Sequence, residues 1–209
     1  MSYINKKDIE NKITNENIIG DGKEAVSYKD GEIVIKIFKD NRQSPFKRIS
    51  DEGLEKLSTL DLKSFNKPID IIVDNIEVIG YTEKFLNIKD LDGEISKENL
   101  EDIKEDIKLL SNNGFKIEDL MYNYTFDKKL IFYDMTSYTY TNTTKKELLD
   151  FYYKKNIATI NLFLVGLTKF DAYKHGSNSE FTKIFKSNEY ISENMNDDEY
   201  YGDFISRKI

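Results

Sequence analysis

The stretch Ile19-Gly20-Asp21-Gly22-Lys23-Glu24-Ala25-Val26-Ser27-Tyr28, followed by Lys29-Asp30-Gly31 and then Ile33-Val34-Ile35-Lys36-Ile37-Phe38, decides how this chain folds. Glycines two apart between β-prone runs mark one turn, and Asp-Gly ahead of a β-branched run marks another. The segment therefore reads as strand, glycine turn, strand, hairpin, strand. In the last of these strands, alternation puts Ile33, Ile35 and Ile37 on one face and Val34, Lys36 and Phe38 on the other. Lys36 is thus a charge flanked by apolar neighbours. Burying an unpaired ammonium costs several kcal/mol, so it must reach water, a carboxylate or a phosphate.

Working outward, residues 50–60 carry Leu54, Leu57 and Leu60 at helical spacing with Asp51, Glu52 and Glu55 among them, which predicts a short amphipathic helix. Glu52 or Glu55 can reach Lys36 from that helix, and Glu52 is taken as the candidate. After Pro68, the apolar runs 69–73 and 76–81 are separated by Asp74-Asn75, a tight hairpin turn. The first half is expected to hold five strands and one helix.

Ser96 can cap a helix with Leu100, Ile103, Ile107 and Leu110 on one face and Gly114 as its stop signal. Ile117, Asp119 and Leu120 fall in a loop; residues 124–126 and 130–133 then form a small hairpin ending at Asp134. Thr144 with Glu147 predicts a capping box for a helix through residue 153, and residues 157–167, apolar almost all round, predict a buried helix. The second half is mainly helical.

A length of 209 residues suits one compact unit. The formal net charge of −7 disfavours nucleic acid as a partner. With no cysteine and a single histidine, His175, expected in a surface loop, disulfides, thiolate metal sites and a Ser/His pair are excluded. No run approaches the roughly 20 apolar residues that cross a membrane, and residues 1–12 are too polar for a signal peptide, so a cytoplasmic location is expected. Abundant Ile, Asn and Lys point to the codon bias of an AT-rich bacterial genome. Residues 187–209 read as an acidic, poorly ordered tail.

Over about residues 18–167 the order of elements resembles the eukaryotic-like protein kinase fold, including small bacterial kinase-like proteins. The resemblance implies a two-lobed α+β architecture: a five-stranded N-lobe with one helix to residue 84, a reduced, mainly helical C-lobe over 85–186, then the tail. Gly20-x-Gly22-x-x-Ala25 resembles the glycine-rich loop with its third glycine replaced, and Val34-Ile35-Lys36-Ile37 resembles the strand-lysine motif. The run from Gly80 to Leu86 is similar to the fifth strand and hinge, which brings Lys84 and Phe85 to the adenine side. Ile117-x-Asp119-Leu120 is similar to the catalytic-loop pattern, with isoleucine at the histidine position. Asn123 stands one residue before the family's metal asparagine, and Asp134-Met135-Thr136 looks like the Asp-Phe-Gly motif. Asn161 stands for the buried-helix aspartate that braces the catalytic loop.

The resemblance implies ATP and Mg²⁺ as cofactors: Lys36 orients phosphates, Asp134 holds the metal, and Asp119 accepts the proton of a hydroxyl acceptor, which could be one of the chain's own hydroxyls between 136 and 144. Only about twenty residues separate Asp134 from the buried helix, without an Ala-Pro-Glu sequence, so the usual peptide platform is missing. Ile117, the displaced Asn123 and Thr136 in place of glycine favour the alternative, a pseudokinase that acts as an interaction module for a protein partner.

Overall fold

A computed structural model describes residues 2–39, 49–87, 96–118, 120, 123–127 and 129–175. Its centre is a six-stranded mixed sheet in the order β1-β5-β6-β4-β3-β2. The strands are β1 (Tyr3–Asn5), β2 (Ile18–Asp21), β3 (Ala25–Asp30), β4 (Ile33–Phe38), β5 (Pro68–Asp74) and β6 (Glu77–Lys84). The two expected hairpin turns are present, and each uses a left-handed residue, Gly31 (φ 60°) and Asn75 (φ 58°).

The sixth strand corrects the expectation of five. β1 pairs parallel to β5 with Tyr3 opposite Ile71, and Ser2 reinforces it by donating from its backbone N and Oγ to Asp70 Oδ1 (3.0 and 2.6 Å). A strand of three residues is too short for alternation to show in a sequence.

The alternation in β4 holds. Ile35 packs with Ile9 and Ile72 on one face of the sheet, while the other face leads into the main core. That core runs from Ile71 and Tyr81 through α1 (Asp51–Ser58) to α2 (Lys97–Asn112) and α3 (Lys146–His175). Ser50 caps α1 by accepting from Gly53 N (3.1 Å), and Ser96 caps α2 by accepting from Asn99 N (3.1 Å). Gly114 ends α2 with φ 81°, and a Cβ there would lie 2.1 Å from Thr141 O, so only glycine fits.

Two small pairings and a long helix follow. β7 (Phe115–Lys116) runs antiparallel to β10 (Thr139–Tyr140), and β8 (Tyr124–Asp127) forms a hairpin with β9 (Lys129–Phe132). α3 is one continuous helix of 30 residues, where two were expected, because no glycine or proline interrupts residues 153–157. His175 ends that helix and is not in a loop. At its start Thr143 Oγ1, not a Thr144–Glu147 box, accepts from Lys145 N (3.1 Å). Among the described residues, no helix is long and apolar enough to cross a membrane. The proposed tail, 187–209, lies outside them.

Buried polar side chains fasten the loops to the helices. Asp106 of α2 accepts from Lys63 N (2.9 Å) and Ser64 N (2.6 Å). Asn99 bonds both the N–H and the carbonyl of Leu130 in β9 (2.8 and 3.2 Å). Asn156 of α3 accepts from Ile117 N (2.7 Å) and donates to Phe115 O and Ser111 Oγ (2.9 Å each). These bonds fix residues 63–64, the segment 115–117 ahead of the β8–β9 hairpin, and β9 itself.

Candidate functional site

β4 and β6 are antiparallel neighbours, with Lys36 opposite Tyr81 and Val34 opposite Glu83. Glu83 is two residues beyond Tyr81, on the same face and diagonal to Lys36, a spacing that long side chains bridge. Lys36 Nζ lies 3.0 Å from Glu83 Oε1. It also donates to Asp134 Oδ1 at 2.9 Å, and the Tyr81 ring centroid is 5.5 Å away. Lys36 therefore sits between two carboxylates of unequal burial, the side chain of Glu83 being 6% exposed and that of Asp134 44%.

Burial pulls the Lys36 ammonium toward a lower pKa, but Tyr81, Glu83 and Asp134 together outweigh it and hold the group well above the ordinary lysine value. Burial drives the Tyr81 hydroxyl well above the usual tyrosine range, against the pull of Lys36. Burial also raises Glu83, an effect that Lys36 opposes. Glu83 Oε2 is buried with no hydrogen-bond partner among the described residues.

Asp134 follows β9 in a left-handed conformation (φ 57°, ψ 54°), which costs a non-glycine residue about 1–2 kcal/mol. Thr136 Oγ1 donates to Asp134 Oδ1 (3.2 Å), so this bond and that from Lys36 converge on one oxygen. Ile49 N, just ahead of α1, donates to Thr136 O (2.8 Å) and ties α1 to this turn.

These groups line a cleft of about 540 Å³, within the ~300–1,000 Å³ typical of small-molecule sites. Gly20, Gly22 and Ala25 form part of one wall, Val34, Lys36 and Glu83 the next. Lys84, Phe85 and Leu86 lie at one edge, and Asn123 and Asp134 on the opposing side. An ion pair between Lys39 and Asp21 holds the glycine turn to the end of β4. The structure thus brings Gly20, Gly22, Lys36, Lys84, Phe85, Asn123 and Asp134 to one cleft. The Phe85 N–H donates to Glu32 O (2.8 Å), and Lys29 Nζ sits 3.8 Å from its ring centroid.

Two assignments are corrected. Glu52 does not pair with Lys36: it is exposed on α1 and accepts from Asn142 Nδ2 (2.5 Å). The cause is packing at the start of α1, where a Cβ on Gly53 would lie 2.8 Å from Tyr140 Cβ, so the helix is seated against β10. Asn161 does not brace the loop before Asp119; Asn156 does so through Ile117 N, and Asn161 lies further along α3 beside Leu100 and Ile103. Asp119 itself lies outside the described residues.

Sequence reasoning missed Glu83 and Asn156. The alternation of residues 80–84, which puts Tyr81 and Glu83 on one face, was the available signal for Glu83. Asn156 is an asparagine in an apolar helix, and its partners are more than 35 residues away in the chain.

Among the described residues no group of three or more His, Cys, Asp or Glu could hold a metal ion. The oxygen donors at the cleft, Asp134 and Asn123, suit Mg²⁺, which takes one or two protein ligands and fills its remaining positions with water and phosphate oxygens.

No family model matches the chain, and no curated protein matches it. Among solved structures it is similar to the Legionella pneumophila Lpg2603 kinase bound to IP6, at 12% identity and a TM-score of 0.42, over 78% of this chain and 69% of that one.

Proposed function

We propose that the cleft binds ATP with Mg²⁺ and that the protein is a minimal, kinase-like phosphotransferase acting on a hydroxyl acceptor. The observation that carries this reading is the buried ammonium of Lys36, held between Glu83 and Asp134 in the wall of a cleft that the Gly20–Gly22 turn also lines. In this reading the sheet with α1, to residue 84, is the N-lobe and residues 85–186 form a reduced C-lobe. Lys36 orients the phosphates, Asp134 and Asn123 hold the metal, and Asp119 positions the acceptor hydroxyl and takes its proton. Bound Mg²⁺ supplies neutralising charge to the phosphate oxygens. The apolar surfaces of Val34, Ala25 and Leu86 suit a purine ring.

The test is a thermal-shift titration with ATP, with and without Mg²⁺, beside Lys36→Ala and Asp134→Ala. Saturating nucleotide should raise the melting temperature by about 5–10 °C in the presence of Mg²⁺, and both variants should lose the rise. No shift at millimolar ATP would refute nucleotide binding. Asp119→Asn should abolish transfer while sparing the shift.

The direct Lys36–Asp134 contact also favours a second reading, a pseudokinase module for a protein partner, since the two charges neutralise each other without a ligand. It predicts no ATP turnover with any acceptor.

A further inference from the structure

We propose that Glu83, on strand β6, is the positioning residue for Lys36, and that Asp134 is the exchangeable partner whose place a ligand phosphate takes. The phosphate half of this statement rests on the proposed function; the positioning half stands without it.

The two carboxylates differ in what losing Lys36 would cost them. Glu83 is 5% exposed, and its Oε2 already lacks a partner among the described residues. Withdrawing Lys36 from Oε1 would leave a wholly uncompensated carboxylate in a buried site, one of the more expensive arrangements a protein can hold. Asp134 has a side chain 44% exposed, so water can take over when Lys36 leaves it, and Thr136 still donates to it. A phosphate arriving at Lys36 therefore displaces Asp134 and leaves Glu83 in place, which frees the Asp134 carboxylate for a cation at the same moment.

The backbone reinforces the asymmetry. Glu83 and Lys36 project from adjacent paired strands, so the β4–β6 ladder fixes their separation. Asp134 lies in an irregular turn after β9. Of the acids of α1, Glu52 is committed to Asn142, and the ion pairs of Lys36 are with Glu83 and Asp134. Movement of α1 consequently leaves the Lys36–Glu83 pair intact.

The experiment reads Lys36 directly and then reads nucleotide binding. In nucleotide-free protein, the rate at which acetic anhydride acylates Lys36 is followed by mass spectrometry in wild type, Glu83→Gln, Glu83→Asp, Glu52→Gln and Glu55→Gln, with circular dichroism confirming the fold. Only the free amine reacts, and each unit lost from the lysine pKa raises its fraction about tenfold. Glu83→Gln should accelerate labelling about tenfold or more. Glu83→Asp, which draws the carboxylate back by one methylene, should fall between Glu83→Gln and wild type, and it serves as the readout if the glutamine variant does not fold. Glu52→Gln and Glu55→Gln should match wild type.

Labelling unchanged in both Glu83 variants, or accelerated equally by the α1 variants, would overturn the proposal. Titration with Mg·ATP should then show affinity reduced about tenfold in Glu83→Gln and unchanged in Glu52→Gln. Accelerated labelling in a protein whose wild type binds no ATP would uphold Glu83 as the positioning residue and sink the nucleotide reading instead.

Discussion

The two sides of the cleft are built by different means. On the sheet side, Lys36, Tyr81 and Glu83 owe their positions to the β4–β6 ladder, so backbone pairing alone brings them together. On the opposite side, Asp134, Thr136 and Asn123 lie in short irregular segments. These are held by bonds from elsewhere: Ile49 N to Thr136 O, Asn99 to Leu130, Asn156 to Ile117. A ladder spreads its energy over many bonds, whereas a loop clamped by one buried side chain concentrates it. The sheet side should therefore fail through backbone sterics, and the opposite side through loss of single polar groups.

The largest effect tests the sheet side. A Cβ on Gly80 would stand 2.1 Å from the carbonyl oxygen of Lys36, so β4 and β6 can lie side by side only with glycine there. Gly80→Ala should cost about 3 kcal/mol or more, the upper end of overpacking penalties, read as a shift in urea midpoint, and should release Lys36 for acylation. A variant of near wild-type stability would show that the ladder tolerates displacement and is not what sets the Lys36–Glu83 distance.

Next comes the clamp. Asn156→Ala leaves the buried Ile117 N and Phe115 O without their partner and should cost about 2–3 kcal/mol, against about 1 kcal/mol or less for Asn161→Ala. Equal costs would mean that α3 supports the loop before Asp119 by packing alone.

The same contrast explains how far the sequence could be read. The β2–β4 segment and the β5–β6 hairpin were legible because alternation and turn residues are local signals, and they brought Gly20, Gly22 and Lys36 to one cleft. The partner of Lys36 was not legible. Choosing Glu83 over Glu52 requires knowing that β6 inserts beside β4, a pairing between segments more than 40 residues apart, and that Gly53 seats α1 against Tyr140. β1 was missed because three residues carry no period. The continuous α3 was divided because the polar residues 154–156 interrupt its apolar pattern, although Asn156 is buried and bonded.

Asp106 sharpens the comparison through pH. Burial pushes its carboxyl up to about 6, although the N–H groups of Ser64 and Lys63 pull it down. Its unfolded value is near 3.8. Between about pH 4 and pH 6 the folded state thus holds more protons than the unfolded state, and this group's contribution to stability is present at the acidic end and lost as the pH rises. Asp106→Asn should remove that slope: the stability difference between wild type and variant, from urea midpoints at about pH 4.5 and 7.5, should be larger at the lower pH, by on the order of 1 kcal/mol after solvent screening. A difference independent of pH would show that Asp106 is an ordinary ionised acceptor for the loop it clamps.

The smallest effect on stability belongs to the glycine turn. Gly20 does not have positive φ, and a Cβ there would meet Ser27 Cβ at 3.8 Å, ordinary van der Waals contact. Gly20→Ala should therefore change stability by no more than about 0.5 kcal/mol, since nothing in the protein itself demands glycine at this position. If the turn lies over phosphates, a methyl group intrudes where the backbone approaches the ligand, and Mg·ATP affinity should drop while the ligand-free melting temperature stays put. Gly80→Ala behaves oppositely, lowering the ligand-free melting temperature through strain in the ladder. The separation is the point of the pair. A glycine required by the ladder and a glycine required only by a ligand look alike in sequence, and they part company when melting temperature and nucleotide affinity are measured on the same two variants. If Gly20→Ala binds Mg·ATP as wild type does, the turn is only a hairpin connection, and the sheet side of the cleft recognises its ligand through Lys36 alone.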